Sequence, residues 1–139
     1  MTDQTFMLTE ADERTLRTAA HGIVVLMAAA NPGPISSAKS GIAGGKAMAT
    51  ATGLTGKVLA AKAKDLDLGG KNTAEIAETV FPAITASVEL LKAKAPDEVD
   101  NFRATIAVIV EAALRSHRGE PFPAEAEMTR KIQQVLDAS

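Results

Sequence analysis

The stretch that decides the fold is Glu98-Val99-Asp100-Asn101-Phe102-Arg103-Ala104-Thr105-Ile106-Ala107-Val108-Ile109-Val110-Glu111-Ala112-Ala113-Leu114-Arg115-Ser116-His117. Phe102, Ile106, Ile109, Val110, Ala113 and Leu114 recur three and four residues apart, which places one apolar stripe on an α-helix. Arg115, His117 and Arg118 crowd the last turn, where the helix dipole favours cations. Gly119-Glu120-Pro121 breaks the helix. Ile109-Val110 is β-branched, yet it lies inside a pattern of period 3.6 rather than 2.

Working outward, the same signals repeat. A helix from Thr9 to Ala30 is capped by Thr9, with Glu10, Asp12 and Glu13 in its first turn. Leu16, Ala19, Ala20, Ile23, Leu26 and Met27 form its stripe. Asn31-Pro32-Gly33-Pro34 stops it, with the glycine expected in a left-handed turn. A second helix starts near Ser36 or Ser37 and enters residues 41–57, where five glycines each weaken a helix by roughly 1 kcal/mol relative to alanine. Ile42, Met48 and the alanines still favour helix over loop there. Val58 to Leu66 reads as a short third helix, ended by Leu68-Gly69-Gly70. Asn72 with Glu75 forms a capping box for a segment carrying Ile76, Val80, Ile84, Val88 and Leu91. Pro82 either kinks that segment or sits in the first turn of a restarted helix. Ala95-Pro96-Asp97 closes it. Pro123 opens the last helix, with Met128, Ile132, Val135 and Leu136 facing inward. The expectation is a single all-α domain over residues 1–139, a compact bundle of five to seven helices without a sheet.

Composition narrows the function. There is no cysteine among 139 residues, which excludes disulfides, thiolate catalysis and Cys-ligated metal. The formal charge is −2, so no global field attracts nucleic acid. Tyr and Trp are absent, removing the usual stacking platforms. The start has no basic region and the longest apolar run, Ile23 to Ala30, is far short of the roughly 20 residues of a membrane span. A cytoplasmic location, with no membrane and no nucleic acid among the partners, is the expectation.

Candidate chemistry is thin. Gly41-Ile42-Ala43-Gly44-Gly45-Lys46 invites comparison with the phosphate-binding P-loop. Ser40 stands at its first glycine, Ala47 where a magnesium-binding hydroxyl belongs, and no strand precedes it. The better reading is a glycine- and alanine-rich helix packed closely on a neighbour, or a loop. Gly44, Gly45 and Lys46 remain the candidate ligand or partner segment. Lys57, Lys62, Lys64 and Lys71 form a basic cluster that reads as a solvated face. His21 and His117 read as surface histidines: His21 has no His, Asp or Glu at i+3 or i+4, and His117 has only Glu120 at i+3, beyond the Gly119 break. Asp97-Glu98-Asp100 and Glu120, Glu125 and Glu127 lie at helix N-termini, where the dipole accounts for them. No catalytic, cofactor or metal residue is assigned.

Two parts of the chain share a plan. Ile23 to Ala30 ends a long helix, then Gly33, then Ile35-Ser36 opens another; Ile106 to Ala113 leads to Gly119, then Phe122-Pro123. Two pseudo-repeated helical hairpins would bury their apolar faces on each other. This plan resembles the TerB-like domains of tellurite-resistance and related bacterial proteins, which have a long helix, an Asp-Gly turn and a second helix carrying a Glu. The resemblance implies an all-helical, bacterial-type cytoplasmic domain. The family's acidic metal-site pattern is not met: Pro32 and Arg118 precede the glycines, Lys39 replaces the first Glu, and Glu125 and Glu127 flank the place of the second. The function expected is therefore a non-enzymatic interaction module with a protein partner, self-association included. The alternative is a small-ligand or enzymatic domain with a pocket near residues 41–57 and Pro82.

Overall fold

The computed structural model describes residues 8–60, 66–68 and 70–139. The described residues form six α-helices and no strand: α1 (Glu10–Ala29), α2 (Pro34–Ala49), α3 (Gly53–Ala60), α4 (Thr73–Lys94), α5 (Val99–Leu114) and α6 (Pro123–Ala138), with a 3-10 turn over Pro96–Glu98. The all-α bundle expected from periodicity is the architecture observed.

The caps form as their residue types dictate. Thr9 Oγ1 accepts from the Asp12 N–H and Asp12 Oδ2 accepts from the Thr9 N–H, each at 3.0 Å. This reciprocal pair satisfies two donors that the first turn would otherwise leave unpaired. Asn72 Oδ1 accepts from the Glu75 N–H at 2.9 Å, while the Glu75 carboxylate reaches back to the Lys71 N–H at 3.1 Å. Pro82 does not restart α4; it lies inside one continuous helix on an exposed position. The carbonyl it leaves without a helical donor, that of Glu78, is one turn back, on a residue that is also exposed. Gly33 is the extended N-cap of α2 (φ −136°) rather than a left-handed residue. Among the described residues the left-handed glycines are Gly53 (φ +69°) and Gly119 (φ +86°).

α1 is the central helix and α4 runs antiparallel along it. The Lys94 ammonium meets the Asp12 carboxylate at one end, the Ser87 hydroxyl donates to the Thr15 carbonyl in the middle, and Gly22 abuts Val80 further along. α2 folds back on α1 and α5 lies along α2 on the side of Ile109. α6 packs on α4 and α1, with the Thr129 hydroxyl 3.8 Å from Met27 Sδ. Leu16, Ile23, Leu26, Met27, Ile84, Leu91, Phe102, Ile106, Ile109 and Ile132 are the large side chains of one continuous core. The third helix begins earlier than its pattern suggests, at Gly53. The residues 61–65 that were read into its end lie outside the described ones.

Candidate functional site

The glycine-rich segment is helix, not loop, as far as Ala49. Its amides therefore serve the helical ladder and form no phosphate cradle. Gly44 is buried, and a Cβ there would lie 3.3 Å from Val24 Cγ1 and 3.7 Å from Ile109 Cγ2. It is the point where α1, α2 and α5 converge, and the missing side chain allows that approach. A Cβ on Gly45 would meet nothing within 4 Å, and Lys46 is exposed. The structure thus separates the three candidates: Gly44 belongs to the core contact, Gly45 and Lys46 to the outer side.

That outer side is unusual. The three exposed large hydrophobic side chains among the described residues are Ile35 (73% exposed), Ile42 (60%) and Val108 (50%). Ile35 and Ile42 stand seven residues apart, two turns along one face of α2. Ala38, Gly45 and Ala49 continue the same face, and Lys39 and Lys46 flank it. α2 carries no acidic residue.

The remaining candidates fall elsewhere. Lys57 and Lys71 are exposed, while Lys62 and Lys64 lie outside the described residues. His21 is half-buried, with Nε2 enclosed and without a hydrogen-bond partner. Burial and the nearby Arg17 charge hold its pKa below the ordinary histidine value. No group of three or more His, Asp or Glu side chains gathers as a metal site among the described residues.

Two carboxylates do more than complement their own helix dipole. Glu98 Oε1 accepts from the Thr55 N–H at 2.8 Å and from the Thr55 hydroxyl at 3.0 Å. It caps the first turn of α3, 43 residues away in sequence. Glu125 is fully buried, and its Oε1 accepts from the Phe122 N–H at 3.0 Å and faces His117 Nε2 at 2.6 Å. His117 is accordingly not a surface histidine: its side chain is 10% exposed and stacks on Phe122 with ring centroids 4.2 Å apart. The sequence test at i+3 and i+4 missed this pair because Glu125 is eight residues on, across the Gly119 turn. The legible signal is Glu at the third position of a helix opened by Pro123, a position that reaches back toward the preceding turn.

Open grooves line the helix seams among the described residues. One of about 670 Å³ runs between α1 and α4 beside Pro82, Arg14 and Thr18. One of about 170 Å³ lies between the end of α2 and α5, at Ala47, Thr52, Asn101 and Val108. One of about 360 Å³ separates α5 from α6. No helix among the described residues is long and apolar enough to cross a membrane.

Comparison with family models, with curated proteins and with solved structures finds no match to this chain.

Proposed function

We propose that this domain is a protein-interaction module that docks a partner on the outer face of α2. The single observation behind this reading is the pair Ile35 and Ile42, the two most exposed large hydrophobic side chains, stacked on one helix face. Apolar side chains at i and i+7 are the anchors by which an amphipathic helix is held in groove-type recognition. Ala38 between them and Gly45 just beyond Ile42 let a second backbone come close.

Charge chooses the occupant. Lys39 and Lys46 border the apolar stripe and α2 has no acidic residue. Two copies of α2 laid together would bring like charges into one interface, which disfavours self-pairing. An amphipathic helix with acidic flanks satisfies both the stripe and the lysines.

The reading treats the exposed isoleucines as held for binding and not for the fold. Ile35→Ser and Ile42→Ser should each change the unfolding free energy by no more than an ordinary surface substitution does, about 0.5 kcal/mol, in urea titrations of the single and double variants. Sedimentation velocity from micromolar to hundreds of micromolar should show a monomer. A dimer that the double variant dissolves would make the occupant a second copy. A double variant that fails to fold would make the stripe structural.

A further inference from the structure

His117 sits between two acceptors. Its Nδ1 is 3.0 Å from the Arg118 carbonyl oxygen and its Nε2 is 2.6 Å from Glu125 Oε1. A carbonyl can only accept, so Nδ1 must carry a hydrogen to bond it. An ionised carboxylate can only accept as well. Both bonds exist together with ionised Glu125 only when both ring nitrogens are protonated, which is the imidazolium. Phe122 stacks on the ring, and Glu125 is fully enclosed with its Oε2 lacking any hydrogen-bond partner.

The pair also sits at a mechanical joint. α5 and α6 run antiparallel with the 360 Å³ groove between them, lined by Ile106, Val110, Leu114, Ile132 and Leu136. They are tied at the two ends. At one end the Arg103 guanidinium donates to the Leu136 and Ser139 carbonyls at 3.4 and 3.2 Å. At the other end the tie is His117 with Glu125.

We infer that His117 and Glu125 form a proton-dependent latch that holds the first turns of α6 against α5. With the imidazolium in place, both acceptors are satisfied and the buried carboxylate is neutralised. When pH rises and the ring gives one proton to solvent, a single N–H remains for two acceptors. The enclosed Glu125 carboxylate then loses its charged partner, which is costly in a desolvated site. The first turns of α6 relax and the groove opens at that end.

The neighbouring charges do not replace the latch. Arg115 pairs with Glu111 and Glu127 with Arg130, all on the surface. Arg118 and Glu120 are exposed on the turn. α1 meets α6 at Met27, whose sulfur lies against the Thr129 hydroxyl, and Gly22 to Ala29 around it carry no charge. On α4, Lys92 donates to the Ser139 carbonyl, Lys94 pairs with Asp12, Glu75 is used in its own cap, and Glu78 and Glu89 are exposed. The Arg118 carbonyl first, and the Glu125 carboxylate second, hold the His117 pKa above the ordinary histidine value.

The sign follows. A raised folded-state pKa means that the latch contributes fully below the ordinary histidine range and is lost as pH rises through the folded value.

The test is a titration of the wild-type domain followed by NMR of its two imidazoles, with hydrogen exchange of α6 over the same range. His117 should titrate above ordinary histidine and His21 below it. Amide protection at Glu127 to Lys131, corrected for intrinsic exchange, should fall through the His117 midpoint while that of Ser87 to Leu91 does not. In His117→Gln the α6 protection should lose this pH step. A His117 midpoint at or below the ordinary value, or α6 protection that is flat through it, overturns the latch. Both results come from the wild-type chain, so the decision stands even if the variant does not fold.

Discussion

Gly22 of α1 and Val80 of α4 approach so closely that a Cβ on Gly22 would lie 2.3 Å from Val80 Cγ2. No real Cβ occupies such a position, and Val80, a short branched side chain, is fully buried. The contact explains a glycine in the middle of the central helix, where helix propensity alone disfavours it. Gly22→Ala should destabilise the domain by about 1–3 kcal/mol through overpacking, despite the better helix former. Urea unfolding checks it. Gly22→Ala with Val80→Ala should lose less than the sum of the single variants, because the two share one contact.

The neighbouring glycines of α2 should behave oppositely. Gly45 faces open space, so Gly45→Ala should stabilise the domain by about 0.5–1 kcal/mol from helix propensity. Gly44→Ala places a Cβ 3.3 Å from Val24 Cγ1 and needs α1 or α2 to yield slightly. It should gain less than Gly45→Ala or lose stability. Thermal melts of the two variants side by side decide this. A phosphate cradle would instead make both changes equally harmful to ligand binding and neutral to folding.

Glu98 ties α3 to the start of α5. Beyond its two bonds to Thr55, it accepts from Asn101 Nδ2 at 3.2 Å, and Asn101 Nδ2 also donates to the Thr52 carbonyl at 2.8 Å. Glu98→Ala should cost about 1–2 kcal/mol, the range for a lost N-terminal cap. Gly53→Ala should also be harmful. Gly53 adopts φ +69°, and a Cβ there would crowd Glu98 Oε2 at 3.0 Å. Hydrogen exchange should locate both losses in α3.

Asp12 supplies an acid-sensitive contribution. The Lys94 ammonium, and then the Thr9 N–H, hold its pKa below the ordinary carboxylate value. A depressed folded-state pKa means stability that is present above the ordinary carboxylate range and lost as pH falls through the folded value. Asp12→Asn should lower the melting midpoint at neutral pH and flatten its decline between about pH 5 and pH 2, the interval over which such a shift acts. Melts of both proteins across that range test it.

Helix identity and most caps were legible in the sequence because they are local. Thr9, Asn72 and Pro123 announce their helices through groups three or four residues away. The bundle followed from the stripes on α1 and α5. What was not legible depends on partners distant in sequence. Glu98 caps a helix 43 residues earlier, and the Gly22–Val80 and Gly44–Val24 contacts depend on which helices become neighbours. His117 with Glu125 was missed for a smaller reason, since a turn and not a helix separates them. The glycine-rich segment misleads because Gly44 and Gly45 look alike in sequence, yet the roughly 100° between them on α2 puts one in the core contact and turns the other to open space. The exposed stripe was hidden too, because Ile42 signals only helix and Ile35 only a helix opening until the inward face of α2 is known.

The outer face of α2 is proposed as the surface where a partner binds. A photo-reactive residue placed at position 42 and, as a control, at the exposed position 89 of α4 tests it most directly in cells that produce the protein. The account predicts one discrete adduct from position 42 and none from position 89. The cross-linked peptide should come from an acidic amphipathic helix, and the adduct should disappear when Lys39→Glu and Lys46→Glu reverse the flanking charge. Equal adducts from both positions, no adduct from position 42, or an adduct with a second copy of this chain would contradict it.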